Sequence, residues 1–153
     1  MGPSTMTSIA KVLSGVNRLF IDTAPLIYLI EQHPLYSPIV QEIVRRVDEG
    51  ILMAYSSVIT LTEVLTHPVR LGRTELVEKY RRILLEARNF TLSPIDAATA
   101  ELAATLRAQH NLRTPDALQV AAASILECDA ILTNDTTLKR ISQPRVILVD
   151  ELI

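Results

Sequence analysis

The sequence predicts an α/β fold, a three-layer α/β/α sandwich built on a mainly parallel sheet of four or five strands. Short β-like apolar runs alternate along the chain with longer stretches whose apolar residues recur at helical spacing, as in parallel strands joined by crossover helices. The chain has 153 residues, 48% of them hydrophobic, which suits one buried core. We therefore expect a single domain over residues 18–153, behind an N-terminal extension of residues 1–17 whose start is consistent with a cloning remnant.

The individual elements follow from local signals. Runs rich in β-branched and other apolar residues predict strands over 18–21, 51–55, 89–92, 130–133 and 145–149. Helical periodicity predicts helices over 25–31, 39–49, 57–68, 74–88, 96–110 and 114–126. Pro25 suits the first turn of a helix, and Gly50 is a natural stop for the helix before it. The last two helices are apolar almost all round, which predicts that they are mostly buried.

Residues that are scarce in the chain exclude several classes of protein. The 15 Lys and Arg against 17 Asp and Glu give a net charge of -2, which argues against coating nucleic acid through bulk charge. Cys128 is the single cysteine, so a disulfide framework and a cysteine-based zinc site are excluded and a reducing cytoplasm is expected. Four glycines and no Trp argue against a glycine-rich nucleotide-binding loop and against a base-stacking platform. No apolar run approaches the roughly 18 residues of a membrane span.

Four acidic residues stand out by their positions relative to the predicted elements. Asp22 and Asp135 each follow a predicted strand directly, at the sheet edge where α/β proteins bind ligands. Asp116 lies in the first turn of an apolar helix, and Glu63 lies on the helix after the second strand. Each has a local alternative: a helix cap for Asp22, a favourable helix-terminal charge for Asp116, a capping box with Thr60 or a solvated surface for Glu63, and a turn for Asp135. The functional interpretation depends on all four meeting at one edge.

An acidic cluster without His or Cys has a specific chemistry. Like charges held close together repel and raise carboxyl pKa values unless a cation intervenes. Mg²⁺ and Mn²⁺ prefer oxygen ligands, and such an ion can activate water and stabilise charge on a phosphate. Hydrolysis of a phosphodiester is therefore the reaction that this cluster favours.

Four segments of the chain resemble the PIN-domain nucleases and, within that family, the toxins of VapBC toxin–antitoxin systems. They are 20–28 (FIDTAPLIY), 57–65 (SVITLTEVL), 112–121 (LRTPDALQVA) and 131–135 (ILTND), within a likeness from about residue 18 to residue 149. The resemblance implies a parallel sheet between helices, a homodimer and cleavage of single-stranded RNA.

The resemblance also assigns roles to individual residues. It implies that the quartet of Asp22, Glu63, Asp116 and Asp135 holds one or two Mg²⁺ or Mn²⁺ ions. Our hypothesis is that Asp22 and Asp116 are the main ligands and that Glu63 and Asp135 complete the site, directly or through water. Thr133, at the end of the fourth predicted strand, is expected to line the pocket.

Two positions depart from the family's pattern. Gln119 stands where many relatives carry His, and residues 136–138 (TTL) replace a common ending with an aromatic residue. Neither change touches the acids, so we expect both to bear on substrate or packing more than on catalysis.

These observations together predict a cytoplasmic, metal-dependent endoribonuclease, the toxin of a toxin–antitoxin pair, with an antitoxin as its protein partner. The basic residues expected near the acids, and hence near RNA, are Arg113, Arg73 and Lys139, with Arg70 and Arg140 as further candidates. Arg113 is the strongest because it directly precedes the Thr-Pro-Asp turn. Two alternatives stay open: a stand-alone PIN nuclease in RNA processing or DNA metabolism, and a non-catalytic PIN scaffold that binds RNA or protein.

Overall fold

The computed structural model describes residues 2–153, so Met1, the first residue of the predicted extension, lies outside the described residues. Its five strands are β1 (Arg18–Ile21), β2 (Met53–Ser57), β3 (Phe90–Ser93), β4 (Ala130–Thr133) and β5 (Arg145–Leu148). They form one parallel sheet in the order β3-β2-β1-β4-β5. Because β1 is central, with Phe20 in register with Tyr55 and Ile131 on its two neighbours, its carboxyl end lies between those of β2 and β4.

Helices cover both faces of this sheet. They are α1 (Pro3–Val12), α2 (Thr23–Ile30), α3 (Ser37–Asp48), α4 (Val58–Arg70), α5 (Thr74–Glu86), α6 (Ala97–His110) and α7 (Thr114–Ile125), with short 3-10 helices at Thr136–Arg140 and Val149–Leu152. Successive residues of β1 point to opposite faces, so Leu19 and Ile21 pack in the core under α1 to α5, whereas Phe20 packs in the core under α6 and α7. The predicted three-layer sandwich with a parallel sheet is confirmed.

The main difference from the predicted elements is the start of β2. Residues 51 and 52 were expected in the strand, but their N–H groups donate to the carbonyl of Arg46, at 2.9 and 3.2 Å, and close the end of α3. Gly50 allows this turn because its φ is +80°, a conformation that side chains disfavour. The strand therefore begins at Met53 and runs two residues beyond the predicted end.

The N-terminal residues form a helix that belongs to the core. In α1, Ile9 is fully buried, and Leu13 and Val16, just after it, are also buried. The guanidinium of Arg145 donates to the carbonyl of Val12 at 2.8 Å, which ties the end of α1 to β5. Nowhere in residues 2–153 is a helix long and apolar enough to cross a membrane.

Candidate active site

Asp22 lies at the carboxyl end of the central strand, and both oxygens of its carboxylate accept hydrogen bonds. Oδ1 accepts from Nε2 of Gln119 at 3.1 Å, and Oδ2 accepts from the hydroxyl of Thr133 at 2.8 Å. Asp22 occupies the N-cap position of α2, but its side chain makes no capping hydrogen bond. Burial raises the pKa of the Asp22 carboxyl; the Thr23 N–H and the two side-chain donors act to lower it, and the charge of Asp116 raises it further.

Gln119 is a buried polar residue on α7, 2% exposed, and both the nitrogen and the oxygen of its amide are hydrogen-bonded. Besides Asp22, Nε2 donates to the hydroxyl of Thr60 at 2.6 Å, and Oε1 accepts from the hydroxyl of Ser57. Ser57 ends β2 and caps α4 by accepting the N–H of Ile59. One side chain therefore joins the ends of two strands to α4 and α7.

Thr133 and Asp135, at the end of β4, lie beside Asp22. The buried hydroxyl of Thr133 donates to Asp22 and accepts the N–H of Asp135 at 3.1 Å. The carboxylate of Asp135 accepts both the N–H and the hydroxyl of Thr137, at 2.9 and 2.8 Å, and so caps the 3-10 helix. Asp135 therefore forms the local turn contacts considered for it and also lies just past the end of β4.

Asp116 lies in the first turn of α7 and is paired with Arg113. The guanidinium Nε is 3.1 Å from Oδ2 of Asp116; the arginine side chain is 77% exposed and the carboxylate 14%. The hydrogen bond to Asp116 and the charges of Asp116, Asp135 and Glu63 together raise the pKa of Arg113. The guanidinium of Arg113 therefore interacts electrostatically with three of the four acids. The fourth acid, Asp22, interacts electrostatically with Asp116.

Glu63 is exposed on α4, in its second turn, and is linked to the residue that follows Asp22. The hydroxyl of Thr23 donates to Oε1 of Glu63 at 2.7 Å and lies 3.3 Å from the hydroxyl of Thr60. Since Thr60 also accepts from Gln119, a continuous series of polar contacts runs from Asp22 to Glu63. The N-cap of α4 is Ser57, so the capping box considered for Thr60 and Glu63 is not formed.

The donors at this edge have the chemistry that Mg²⁺ or Mn²⁺ requires, namely carboxylate, hydroxyl and amide oxygens. The repulsion between Asp22 and Asp116 is also of the kind that a cation relieves. Within residues 2–153, however, no three His, Cys, Asp or Glu side chains lie close enough together to hold one ion. Asp116, Asp135 and Glu63 are each bonded instead to a neighbouring side chain.

The other basic residues expected near RNA differ in how firmly they are held. Nε of Arg73 is 3.4 Å from Oε1 of Glu75. Arg73 follows the end of α4, and that helix of 13 residues rises roughly 18 Å from the end of β2. The ammonium of Lys139 is 2.6 Å from Glu151 and donates to the carbonyl of Val146 at 3.0 Å. Arg140 donates to the carbonyl of Asn111.

Sequence reasoning missed three residues that shape the site, Gln119, Ser57 and Thr60. Gln119 was expected to affect substrate or packing, yet it contacts Asp22 directly. Its partners Ser57 and Thr60 are 62 and 59 residues away along the chain. The one available signal was a glutamine among the small apolar residues of a buried helix, since a buried amide needs partners.

Comparison with solved structures shows the same fold in toxin–antitoxin proteins. VapBC2 of Rickettsia felis, solved with a promoter DNA fragment, is 17% identical with a TM-score of 0.69, over 86% of this chain and 98% of that one. A toxin–antitoxin complex from Klebsiella pneumoniae is 22% identical with a TM-score of 0.59, over 84% and 99%. VapC20 of Mycobacterium tuberculosis, described as a sarcin-ricin loop cleaving toxin, is 15% identical with a TM-score of 0.64, over 83% and 98%.

Sequence comparison with curated proteins finds no relative of the chain. The family model described as PIN domain, in contrast, matches residues 19–144, which span the strands and helices from β1 to the last turn before β5. The chain belongs to the PIN domain family.

Proposed function

We propose that the protein is a metal-dependent endoribonuclease that hydrolyses single-stranded RNA and acts as the toxin of a toxin–antitoxin pair. The observation that carries the proposal is the partly buried Asp22 carboxylate at the end of the central strand, held by Gln119 and Thr133 and close enough to Asp116 for the second charge to raise its pKa. A pair of like charges is costly without a cation. Membership of the PIN domain family supports nuclease chemistry at this edge.

Asp22 and Asp116 are the proposed metal ligands, with Glu63 and Asp135 completing the site directly or through water. When bound, Mg²⁺ or Mn²⁺ would supply a water of lowered pKa and positive charge beside the scissile phosphate. Asp22 is fixed in advance because Gln119 and Thr133 hold its two oxygens. Glu63 and Asp135 would orient the attacking water by accepting its hydrogen bonds.

Binding of an ion would draw Asp116 toward the metal and loosen its pair with Arg113, which uses only Oδ2 of Asp116. The guanidinium would then be free to contact an RNA phosphate. This exchange makes Arg113 the favoured RNA contact. We propose Arg73 and Lys139 as secondary contacts, because both side chains are already paired with carboxylates.

The proposed partners follow from the family and from what the neighbouring structures are described as binding. The Klebsiella pneumoniae structure is described as a toxin–antitoxin complex, and the chain resembles VapBC toxins, so we propose a cognate antitoxin for it. A homodimer and a cytoplasmic location belong to the same proposal. Light scattering of the purified protein tests the dimer, and co-purification with the product of an adjacent small gene tests the antitoxin.

The decisive experiment is incubation of the purified protein with total RNA in Mg²⁺, Mn²⁺ or EDTA, followed by sequencing of the new ends. Hydrolysis by activated water is expected to leave 5′-phosphate and 3′-hydroxyl ends, and EDTA is expected to abolish cleavage. Asp22→Asn should be inactive. Asp129→Asn is the matched control, because Asp129 binds the N–H groups of Asn17 and Arg18 at the opposite end of the sheet.

Two outcomes would contradict the proposal. Cleavage by Asp22→Asn at the rate of the native protein would show that the activity arises elsewhere. Binding of RNA with no new ends under any metal would favour a non-catalytic scaffold.

A further inference from the structure

Gln119 reaches the candidate metal site without being a candidate ligand. Its Nε2 lies 3.1 Å from Oδ1 of Asp22 and 2.6 Å from the hydroxyl of Thr60, and its Oε1 accepts from Ser57. All its hydrogen-bonding capacity toward these neighbours is used, in a site where Gln119, Ser57 and Thr60 are 2%, 0% and 0% exposed. Water cannot replace a lost partner here as readily as at a surface.

The orientation of this amide is dictated by its neighbours. An ionised carboxylate only accepts hydrogen bonds, so the nitrogen of Gln119 must face Asp22. At the other end, the Oγ of Ser57 accepts the N–H of Ile59 at 3.1 Å and donates its own proton to Oε1. Asp22 therefore sets which way the Gln119 amide points, and the N-cap residue of α4 donates to the oxygen at its other end.

We infer that Gln119 is a positioning residue for the proposed metal site: it holds the Asp22 carboxylate in place and transmits the geometry of the β2–α4 junction to it. The inference rests on the proposed function. It assigns to Gln119 a role at the site in place of the expected role in packing or substrate choice. Outer-shell hydrogen bonds of this kind typically account for about 10- to 100-fold in metal affinity or activity.

The link to Thr60 extends the role to the fourth acid. Thr60 accepts from Gln119 and lies 3.3 Å from Thr23, whose hydroxyl donates to Glu63 at 2.7 Å. Loss of the Gln119 amide thus removes one of the two side-chain donors to Asp22, leaving Thr133, and also removes the donor to Thr60. The carboxylates of Asp22 and Glu63 are therefore both expected to become less well ordered.

Four substitutions test the inference. Gln119→Met keeps the length and removes all three hydrogen bonds, and Gln119→Glu keeps the shape but turns an acceptor toward Asp22. Gln119→His retains an N–H donor and is the expected rescue. Leu84→Ala, a cavity in the core at a residue 1% exposed on α5, is the control for lost stability alone.

The readouts separate positioning from stability. Mn²⁺ affinity is measured by titration calorimetry, RNA cleavage as kcat and KM, and thermal unfolding in EDTA for every variant. We expect Gln119→Met and Gln119→Glu to weaken Mn²⁺ binding about 10- to 100-fold and to lower kcat more than they raise KM. Gln119→His should recover most of both, and Leu84→Ala should lower the Tm with Mn²⁺ affinity unchanged.

A second measurement needs no metal and no activity. In ¹H–¹⁵N spectra of the metal-free protein, the side-chain amide of Gln119 should shift on Asp22→Asn and on Ser57→Ala, because each removes one of its partners. Unshifted resonances in both variants would overturn the inference even if Gln119→Met failed to fold.

The outcomes distinguish this inference from the function on which it rests. If the native protein binds Mn²⁺ and cleaves RNA, and Gln119→Met does both equally well, the positioning role is wrong and the proposed function stands. If the native protein neither binds Mn²⁺ nor cleaves RNA, both fall.

Discussion

Replacement of Thr133 by valine removes one hydroxyl from the candidate site and leaves the shape of the side chain nearly unchanged. That hydroxyl is fully buried, donates to Asp22 at 2.8 Å and accepts the N–H of Asp135 at 3.1 Å. The bond to Asp22 is a hydrogen bond to a charged group, which contributes about 1.5–3 kcal/mol. The N–H of Asp135 loses its acceptor, and a buried donor left in that state costs about 1–3 kcal/mol. Because Asp22 keeps its bond from Gln119, we take the lower part of the sum, about 3 kcal/mol.

Thr133→Ser is the matched variant, since it keeps the hydroxyl and loses a methyl group for about 1 kcal/mol. For a domain of this size each kcal/mol corresponds to about 2–4 °C in Tm. In EDTA at neutral pH, Thr133→Val is therefore expected to unfold about 6–12 °C below the native protein, and Thr133→Ser about 2–4 °C below it. RNA cleavage should be lost in the valine variant and retained in the serine variant.

The comparison of the two variants decides whether the hydroxyl acts as described. Equal Tm values for valine and serine would show that the bond to Asp22 contributes nothing to stability. Full cleavage by Thr133→Val would show that the position of Asp22 does not depend on Thr133.

Three further predictions concern metal, pH and the N-terminal helix. Mn²⁺ at about 100 times its Kd should stabilise the native protein by about 2.7 kcal/mol, and Asp116→Asn, which loses a proposed ligand, much less; calorimetry with equal shifts would contradict the shared ion. Hydrogen bonds from the N–H and hydroxyl of Thr99 lower the pKa of Asp96, so its stabilisation is present above the ordinary aspartate pKa of about 3.9 and fades as the pH falls below it. Asp96→Ala should thus lower the Tm at pH 7, and its difference from the native protein should shrink as the pH falls below the ordinary aspartate pKa, whereas a constant difference would refute the linkage. Ile9→Ala should cost about 2–5 kcal/mol in chemical denaturation because Ile9 is fully buried, and an unchanged midpoint would mean that α1 is dispensable.

The parts of the fold that could be predicted are those with local signals. The runs that form β1 and β4 were predicted with their exact bounds, because each is short, apolar and followed at once by a polar residue. The positions of Asp22 and Asp135 at strand ends followed from the same reading. Their approach across one sheet edge required only that the sheet be parallel.

The N-terminal extension contains a helical pattern from which no helix was predicted. Ile9, Val12, Leu13 and Val16 recur at helical spacing, which predicts an amphipathic helix. The structure buries Ile9, Leu13 and Val16 in the core of the domain.

The polar contacts around Asp22 could not be predicted, because they depend on long-range register. Ser57 was predicted only as the start of a helix, and Thr60 was considered for a capping box with Glu63 that is not formed. Only the packing of α7 against the end of β2 brings Gln119 to them. A hydrogen bond between residues 97 positions apart, as between Gln119 and Asp22, has no signature in a single sequence.

The distribution of partners among the four acids explains how one site can be stable without an ion and still admit one. The pairs of Asp116 with Arg113 and of Glu63 with Thr23 each use one carboxylate oxygen and include one exposed residue, Arg113 in the first and Glu63 in the second. An exposed ion pair contributes only about 0–1 kcal/mol, less than an ion that binds at a working excess over its Kd. Asp22 differs because its two donors are buried and cannot be replaced by water without a larger loss. Asp22 is therefore the fixed point of the site, and the other acids are the ones expected to move when a cation binds.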